Sequence, residues 1–159
     1  MEHSGTKWYK VVNHSIMFIG QYEHHLEEKG RLSIPKKFRS QLSDGAVISQ
    51  GLDGCLFLYP KASWELLIQK LSRLPLTSTD ARGFTRSLSY GAAEVEIDGQ
   101  GRILLPEYLR KFAGIHSDCV FAGAVERIEL WDKSKFEKYT AQINSRAEEI
   151  AEKLSESGI

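Results

Sequence analysis

From Phe18 to Leu26, and again from Ser89 to Ile97, positions alternate between apolar and polar or run apolar, and each stretch ends on an acid, Glu27 or Asp98. Both stretches predict strands. Turns follow at Glu28-Lys29-Gly30 and Gly99-Gln100-Gly101, whose glycines accept positive φ without steric penalty. Short strands are predicted next, from Arg31 to Ile34 and from Arg102 to Leu105. Pro35 and Pro106 then fit the first turn of a helix, where a missing N–H costs nothing. Lys36 to Leu42 and Glu107 to Ala113 carry the helical pattern. Two more strands are expected in each stretch: Ala46 to Ser49 with Cys55 to Tyr59, and Cys119 to Ala122 with Arg127 to Trp131. Leu52-Asp53-Gly54 suits a hairpin turn, and Val125-Glu126 does so less well.

A longer helix closes each stretch. The first runs from about Ala62 to Arg73 and stops before Pro75. The second starts after Asp132 and can continue to Leu154, because Ala, Glu, Lys, Arg and Gln dominate there. Between the stretches, Thr77 to Leu88 begins with a Thr-x-x-Asp capping signal and predicts one further helix.

The same elements therefore occur twice, and the residues repeat with them. A shift of 71 positions superposes Gly20 on Gly91, Glu23 on Glu94, Leu26 on Ile97, Glu27 on Asp98, Gly30-Arg31 on Gly101-Arg102, Pro35 on Pro106 and Arg39 on Arg110. A shift of 72 superposes Gly51 on Gly123, Leu58 on Leu130, Tyr59 on Trp131, Lys61 on Lys133 and Trp64 on Phe136. So many matches in one order identify an internal repeat. Neither copy has many large apolar residues, so the two are expected to pair around a shared core with pseudo-twofold symmetry. Met17-Phe18 opens the first copy so sharply that Met17 could be the native start. Met1 to Ile16 would then be an upstream extension or leader, expected to be disordered.

Composition narrows the function classes. A hydrophobic fraction of 42% and a charged fraction of 26% are those of a soluble globular protein. No apolar run approaches the ~18 residues of a membrane span. The N-terminus lacks the apolar core and cleavage site of a secretory signal, which makes cytoplasm the default location. Cys55 and Cys119 lie in apolar runs without metal-ligand spacing, and read as buried thiols. Lys plus Arg number 21 and Asp plus Glu 21, so the formal net charge is zero. A monomeric DNA-binding module ordinarily carries a basic excess. Any nucleic-acid affinity must then come from a local patch, or from weak patches gathered by oligomerisation.

No nucleophile elbow, phosphate loop or His-Glu-x-x-His segment is present, so nothing argues for catalysis, a cofactor or a small-molecule substrate. His24 and His25 are adjacent on a strand and face opposite sides, which disfavours a shared metal. Attention falls on Arg31 and Arg102, each following a turn glycine at the start of a strand. A guanidinium there can donate bidentately to guanine or clamp a phosphate. Glu27 and Asp98, four positions earlier, can pair with these arginines and orient them, or form no more than cross-turn salt bridges. Lys29, Lys36, Lys37 and Arg39 add charge in the first copy, while Gln100, Arg110 and Lys111 make a weaker second patch.

Met17-Phe18-Ile19-Gly20, Leu26 to Pro35, Gly51 to Leu56 and Glu96 to Pro106 together resemble the MraZ family of bacterial transcriptional regulators. The resemblance covers Met17 to about Tyr139. It implies an α+β fold of two pseudo-symmetric AbrB-like half-units of swapped-hairpin type sharing a core, plus a C-terminal helix. It also implies a ring of protomers that binds direct repeats in the promoter of the division and cell-wall gene cluster, its own gene included, and so association with the nucleoid. The family signature is Asp-x-x-x-Arg in both halves, with surrounding basic residues facing DNA. Asp98 to Arg102 keeps it, whereas the first copy has Glu27 to Arg31, one methylene longer.

The expected organisation is an extension over 1–16, a first half over 17–74, a connecting helix over 75–88, a second half over 89–143 and a helical tail over 144–159. The DNA-contacting residues are expected to be Lys29, Arg31, Lys36, Lys37, Arg39, Gln100, Arg102 and Arg110, with Glu27, Gly30, Asp98 and Gly101 shaping the turns. The Arg31 side, backed by Lys29 and by the Lys36-Lys37-Arg39 cluster, is expected to dominate. A structural or protein-interaction module without specific DNA binding is the alternative that zero net charge keeps open.

Overall fold

The computed structural model describes residues 17–159, and the expectation for Met1 to Ile16 lies outside the described residues. The first half contains β1 (Gln21–His25), β2 (Arg31–Ser33), α1 (Lys36–Arg39, extended by a 3-10 turn over Ser40–Leu42), β3 (Ala46–Gln50), β4 (Leu56–Pro60) and α2 (Lys61–Ser72). Helix α3 (Thr79–Tyr90) leads to β5 (Ala93–Val95), β6 (Arg102–Leu104), α4 (Glu107–Ala113), β7 (Asp118–Gly123), β8 (Ile128–Asp132), α5 (Lys133–Ser145) and α6 (Ala147–Lys153). The fold is α+β, with every strand pairing antiparallel.

The strand order of the larger sheet is β1-β7-β8-β4-β3-β5, and β2 pairs with β6 in a separate two-stranded ribbon. Each half therefore lends its first strand to the other: β1 lies on β7, and β5 lies on β3. The registers repeat this exchange at residue level. In the ribbon Arg31 faces Leu104 and Ser33 faces Arg102, around a central Leu32–Ile103 pair. At the seam of the large sheet Leu56 faces Leu130 and Leu58 faces Ile128, around a central Phe57–Glu129 pair. Swapping the halves maps each pairing onto itself, so a pseudo-twofold axis passes through both central pairs.

One core fills the space between ribbon and sheet. Phe18, Leu32, Ile34, Leu56 and Leu58 from the first half pack with Ile103, Leu109, Phe121, Ile128 and Leu130 from the second, all essentially without solvent contact. At about 1.5–3 kcal/mol for each fully buried large aliphatic side chain, the seam residues alone make separation of the halves costly. A smaller aromatic cluster gathers Cys55, Phe57 and Trp131 with Tyr59, Phe136 and Tyr139. Trp131 meets Phe136 of α5 at 6.0 Å between centroids, as Tyr59 meets Trp64 of α2 at 5.8 Å. The pairs Tyr59/Trp131 and Trp64/Phe136, superposed by the repeat, thus do the same packing in each half.

Several local expectations shift. Serine 78, not Thr77, caps α3: Ser78 is extended and its hydroxyl accepts from Ala81 N–H at 3.1 Å. Pro35 and Pro106 stand at the cap position with ψ of 133° and 143°, one residue before the helices they introduce. Only Ala93–Val95 of the stretch from Ser89 to Ile97 is strand, because Ser89 and Tyr90 finish α3. The long C-terminal helix is broken at Arg146 (φ −118°, ψ 10°). There Ser145 turns its hydroxyl back onto Gln142 O at 2.8 Å, and Arg146 N–H bonds Ile143 O, which tightens and ends the turn. As expected, His24 and His25 face opposite ways. His24 packs edge-on against Phe121, and burial lowers its pKa, whereas exposed His25 meets Asp118 at 2.8 Å.

Candidate nucleic-acid interface

The alternation of β2 and β6 decides which side chains reach solvent. Leu32 and Ile103 point into the core, so Arg31 and Ser33 share the outer face of the ribbon with Leu104 and Arg102. Two turn arginines from distant parts of the chain thus stand on one surface. They also border one depression, lined with His25, Leu26, Glu27 and Glu28. Offset by two residues along neighbouring strands, their Cα atoms are about 8 Å apart by strand geometry. A two-stranded ribbon of this width fits a DNA major groove about 12 Å wide.

Both turns are built on the same backbone frame. Glu27 N–H donates to Arg31 O at 2.8 Å and Asp98 N–H to Arg102 O at 2.9 Å. The glycine carbonyls then accept from the opposite half: Leu105 N–H reaches Gly30 O at 2.8 Å, and Ile34 N–H reaches Gly101 O at 2.9 Å. Each turn is closed by the strand end of its counterpart.

The side chains break the symmetry. Asp98 is short enough to serve its own turn: Oδ1 accepts from Gln100 N–H at 2.8 Å and from Arg102 N–H at 3.0 Å, while Oδ2 meets Arg102 Nε at 3.3 Å. These bonds, that from Arg102 N–H above all, hold its carboxyl below the usual aspartate range. Glu27 makes no such cap. Its first turn instead places Lys29 at φ 63° ahead of Gly30 at φ 80°. Glu27 reaches Ser33 Oγ at 3.4 Å and, across the ribbon, Arg102 Nη1 at 3.5 Å.

The expected Glu27–Arg31 pair is therefore absent, because the extra methylene carries the carboxylate past its own turn. Asp98–Arg102 is present as expected. Arg102 is flanked by two acids and its side chain is 22% exposed, whereas Arg31 is exposed and has no ion-pair partner among the described residues.

Strand exchange also redistributes the basic residues. Ile34 hydrogen-bonds the second turn, and Lys36 and Lys37 follow it, exposed at the start of α1. Arg39 donates Nε–H to Ile34 O at 2.8 Å and lays its guanidinium against Gly101. Arg110 lays its guanidinium against Gly30 in turn, but its buried Nε has no hydrogen-bond partner among the described residues. Both arginines are half-buried, and their guanidinium groups pack on the turn glycines. Lys29 and Gln100 are exposed at the turn tips, and Lys111 pairs with Glu107 at 3.3 Å. Leu104, 60% exposed opposite Arg31, shares this candidate face and is not among the residues expected from the sequence. Its signal lies in its spacing, two residues beyond Arg102.

Among the described residues no three metal-capable side chains gather, and no helix is long and apolar enough to cross a membrane. Cys55 and Cys119 are free, buried thiols.

A family model described as "MraZ protein, putative antitoxin-like" matches the chain twice, over residues 17–87 and 88–156. The transcriptional regulator MraZ of Clostridium tetani is 48% identical over 143 residues, spanning 90% of this chain and all of that protein. Those of Acetivibrio thermocellus and Thermoanaerobacter pseudethanolicus are 48% and 49% identical over the same shares. Two tandem matches and near-complete coverage have one meaning: the chain belongs to the MraZ family.

Proposed function

We propose that this protein is a sequence-specific DNA-binding transcriptional regulator. In this reading it acts as a ring oligomer on direct repeats in the promoter of the division and cell-wall gene cluster, including its own gene. The observation that carries the reading is the outer face of the β2–β6 ribbon, which presents Arg31 and Arg102 together on a rigid two-stranded scaffold. The transcriptional-regulator names of its relatives support it. Strand exchange between the halves supports an AbrB-like, swapped-hairpin assignment.

Arg31, Lys29, Lys36 and Lys37 are the cations that contact DNA, and Gln100 offers an amide at the second tip. Arg39 and Arg110 act chiefly by holding the turns. A ring resolves the neutral charge, since patches that are weak singly gain effective concentration when several engage adjacent repeats. Such a protein works in the cytoplasm, on the nucleoid, and needs no catalytic group or cofactor.

A gel shift with the region upstream of the protein's own gene tests this reading, beside a mass measurement in solution. Specific retention that is steeply salt-dependent is expected. Specific binding that survives Arg31→Ala combined with Arg102→Ala would remove the ribbon from the interface. The zero net charge favours the second reading, a protein-interaction module. Retention without salt dependence or preference for repeats would support that instead.

A further inference from the structure

Duplication supplies two turn arginines, and the ion pairs around them are unequal. Arg102 lies between Asp98 of its own turn at 3.3 Å and Glu27 of the opposite turn at 3.5 Å. Arg31 has neither contact, although Glu27 is the acid four residues before it. The cause is local and chemical. Aspartate closes an Asx-type turn onto the N–H groups of Gln100 and Arg102, which keeps its second oxygen beside the arginine. Glutamate makes no such turn, so the first turn uses a left-handed Lys29, and the carboxylate extends to the neighbouring strand.

A guanidinium already neutralised by two carboxylates releases few counterions from a phosphate backbone and is not free to swing towards a base edge. An unpaired guanidinium can do both. Resting on the DNA-binding reading above, we propose that the two turns divide the work: Arg31 contacts DNA, and Arg102 is a positioning residue that ties the two turns together through Asp98 and Glu27. Glu27 is then a specificity-determining residue acting across the pseudo-twofold axis. By leaving Arg31 free and holding Arg102, it sets which arginine is presented. Lys36 and Lys37, exposed on α1, supply the phosphate charge that Arg102 does not.

The test is fluorescence anisotropy on the full chain at a series of KCl concentrations, with thermal unfolding checked for every variant. The probes are a labelled duplex from the region upstream of the protein's own gene and a scrambled duplex of equal length. Arg31→Ala should weaken the upstream duplex about tenfold or more and flatten the salt dependence by about one unit of slope per engaged protomer. Arg102→Ala should leave the slope as it is and narrow the gap between the two duplexes. Glu27→Gln should tighten the scrambled duplex and steepen the slope, because Arg102 loses a partner. Glu28→Gln removes the same charge from an exposed acid without an ion pair, so Glu27→Gln must exceed it. Glu27→Asp should act in the opposite direction, drawing the carboxylate back to its own turn and onto Arg31. Equal flattening by Arg31→Ala and Arg102→Ala would overturn the proposal, as would a Glu27→Gln effect no larger than that of Glu28→Gln. Wild-type protein that binds neither duplex would instead overturn the DNA reading itself, and the proposal with it.

Discussion

The guanidinium of Arg39 occupies the space in which a side chain on Gly101 would stand. Two requirements meet at that glycine, a φ of +79° and the close approach of an arginine from the opposite half. Gly101→Ala should therefore destabilise the protein by about 1–3 kcal/mol, the usual cost of a forced left-handed residue. Gly99→Ala, two residues away, meets open space and has no positive φ, and should be close to neutral. Chemical denaturation of both variants at fixed protein concentration checks this, and equal midpoints would contradict it.

Asp98 gives a pH dependence with a defined sign. Hydrogen bonds, first that from Arg102 N–H, depress its folded pKa. Its contribution to stability is therefore complete above the unfolded aspartate value near 4 and is lost as pH falls through the lower folded value. The melting-temperature difference between wild type and Asp98→Ala should be constant from pH 5 to 7 and shrink below about pH 4. A difference that grows on acidification would show that the carboxylate does not stabilise the turn.

Val125 is a β-branched residue at φ 67°, held there by reciprocal backbone bonds with Phe18 at 2.8 and 2.9 Å. Its side chain is 58% exposed and contributes little packing to offset the strain. Val125→Asn keeps both backbone bonds and tolerates the left-handed region, so it should raise stability by about 1 kcal/mol. An unchanged or lower urea midpoint would argue against stored strain at this turn.

Burial pushes the thiols of Cys55 and Cys119 up to about 12. Neither is a thiolate at neutral pH, and both are fully enclosed. An aromatic disulfide reagent should label neither in native protein at pH 8, and both on addition of guanidinium. Prompt native labelling of either would mean that this part of the core opens readily.

The repeat, and with it nearly every element, is legible in the sequence because turn glycines, cap-position prolines and strand alternation are local signals. Exchange of β1 and β5 is not, since it depends on which of two near-identical edges a strand finds in space. That gap matters most around the turn glycines. Arg39 follows Arg31 in the chain, yet its guanidinium packs on Gly101 of the opposite half. The Glu27–Arg31 pair fails for a related reason: four-residue spacing brings the acid near, but the length of its side chain decides which arginine it meets. The positive φ of Gly30 and of Gly101 and the Asp98–Arg102 contact are local features, each formed within its own turn.

The self-mapping pairs Leu32–Ile103 and Phe57–Glu129 have a consequence for how such a protein can change. Two identical copies of one half could form the same architecture, but every alteration would then appear on both sides of the axis. Covalent linkage through α3 removes that constraint. A glutamate can stand at one turn while an aspartate is kept at the other, and Phe57 can lie under Arg127 while its symmetry counterpart is the acid that binds that arginine. One gene encoding both halves lets a symmetric scaffold carry an asymmetric surface, and lets each surface evolve without unmaking the other.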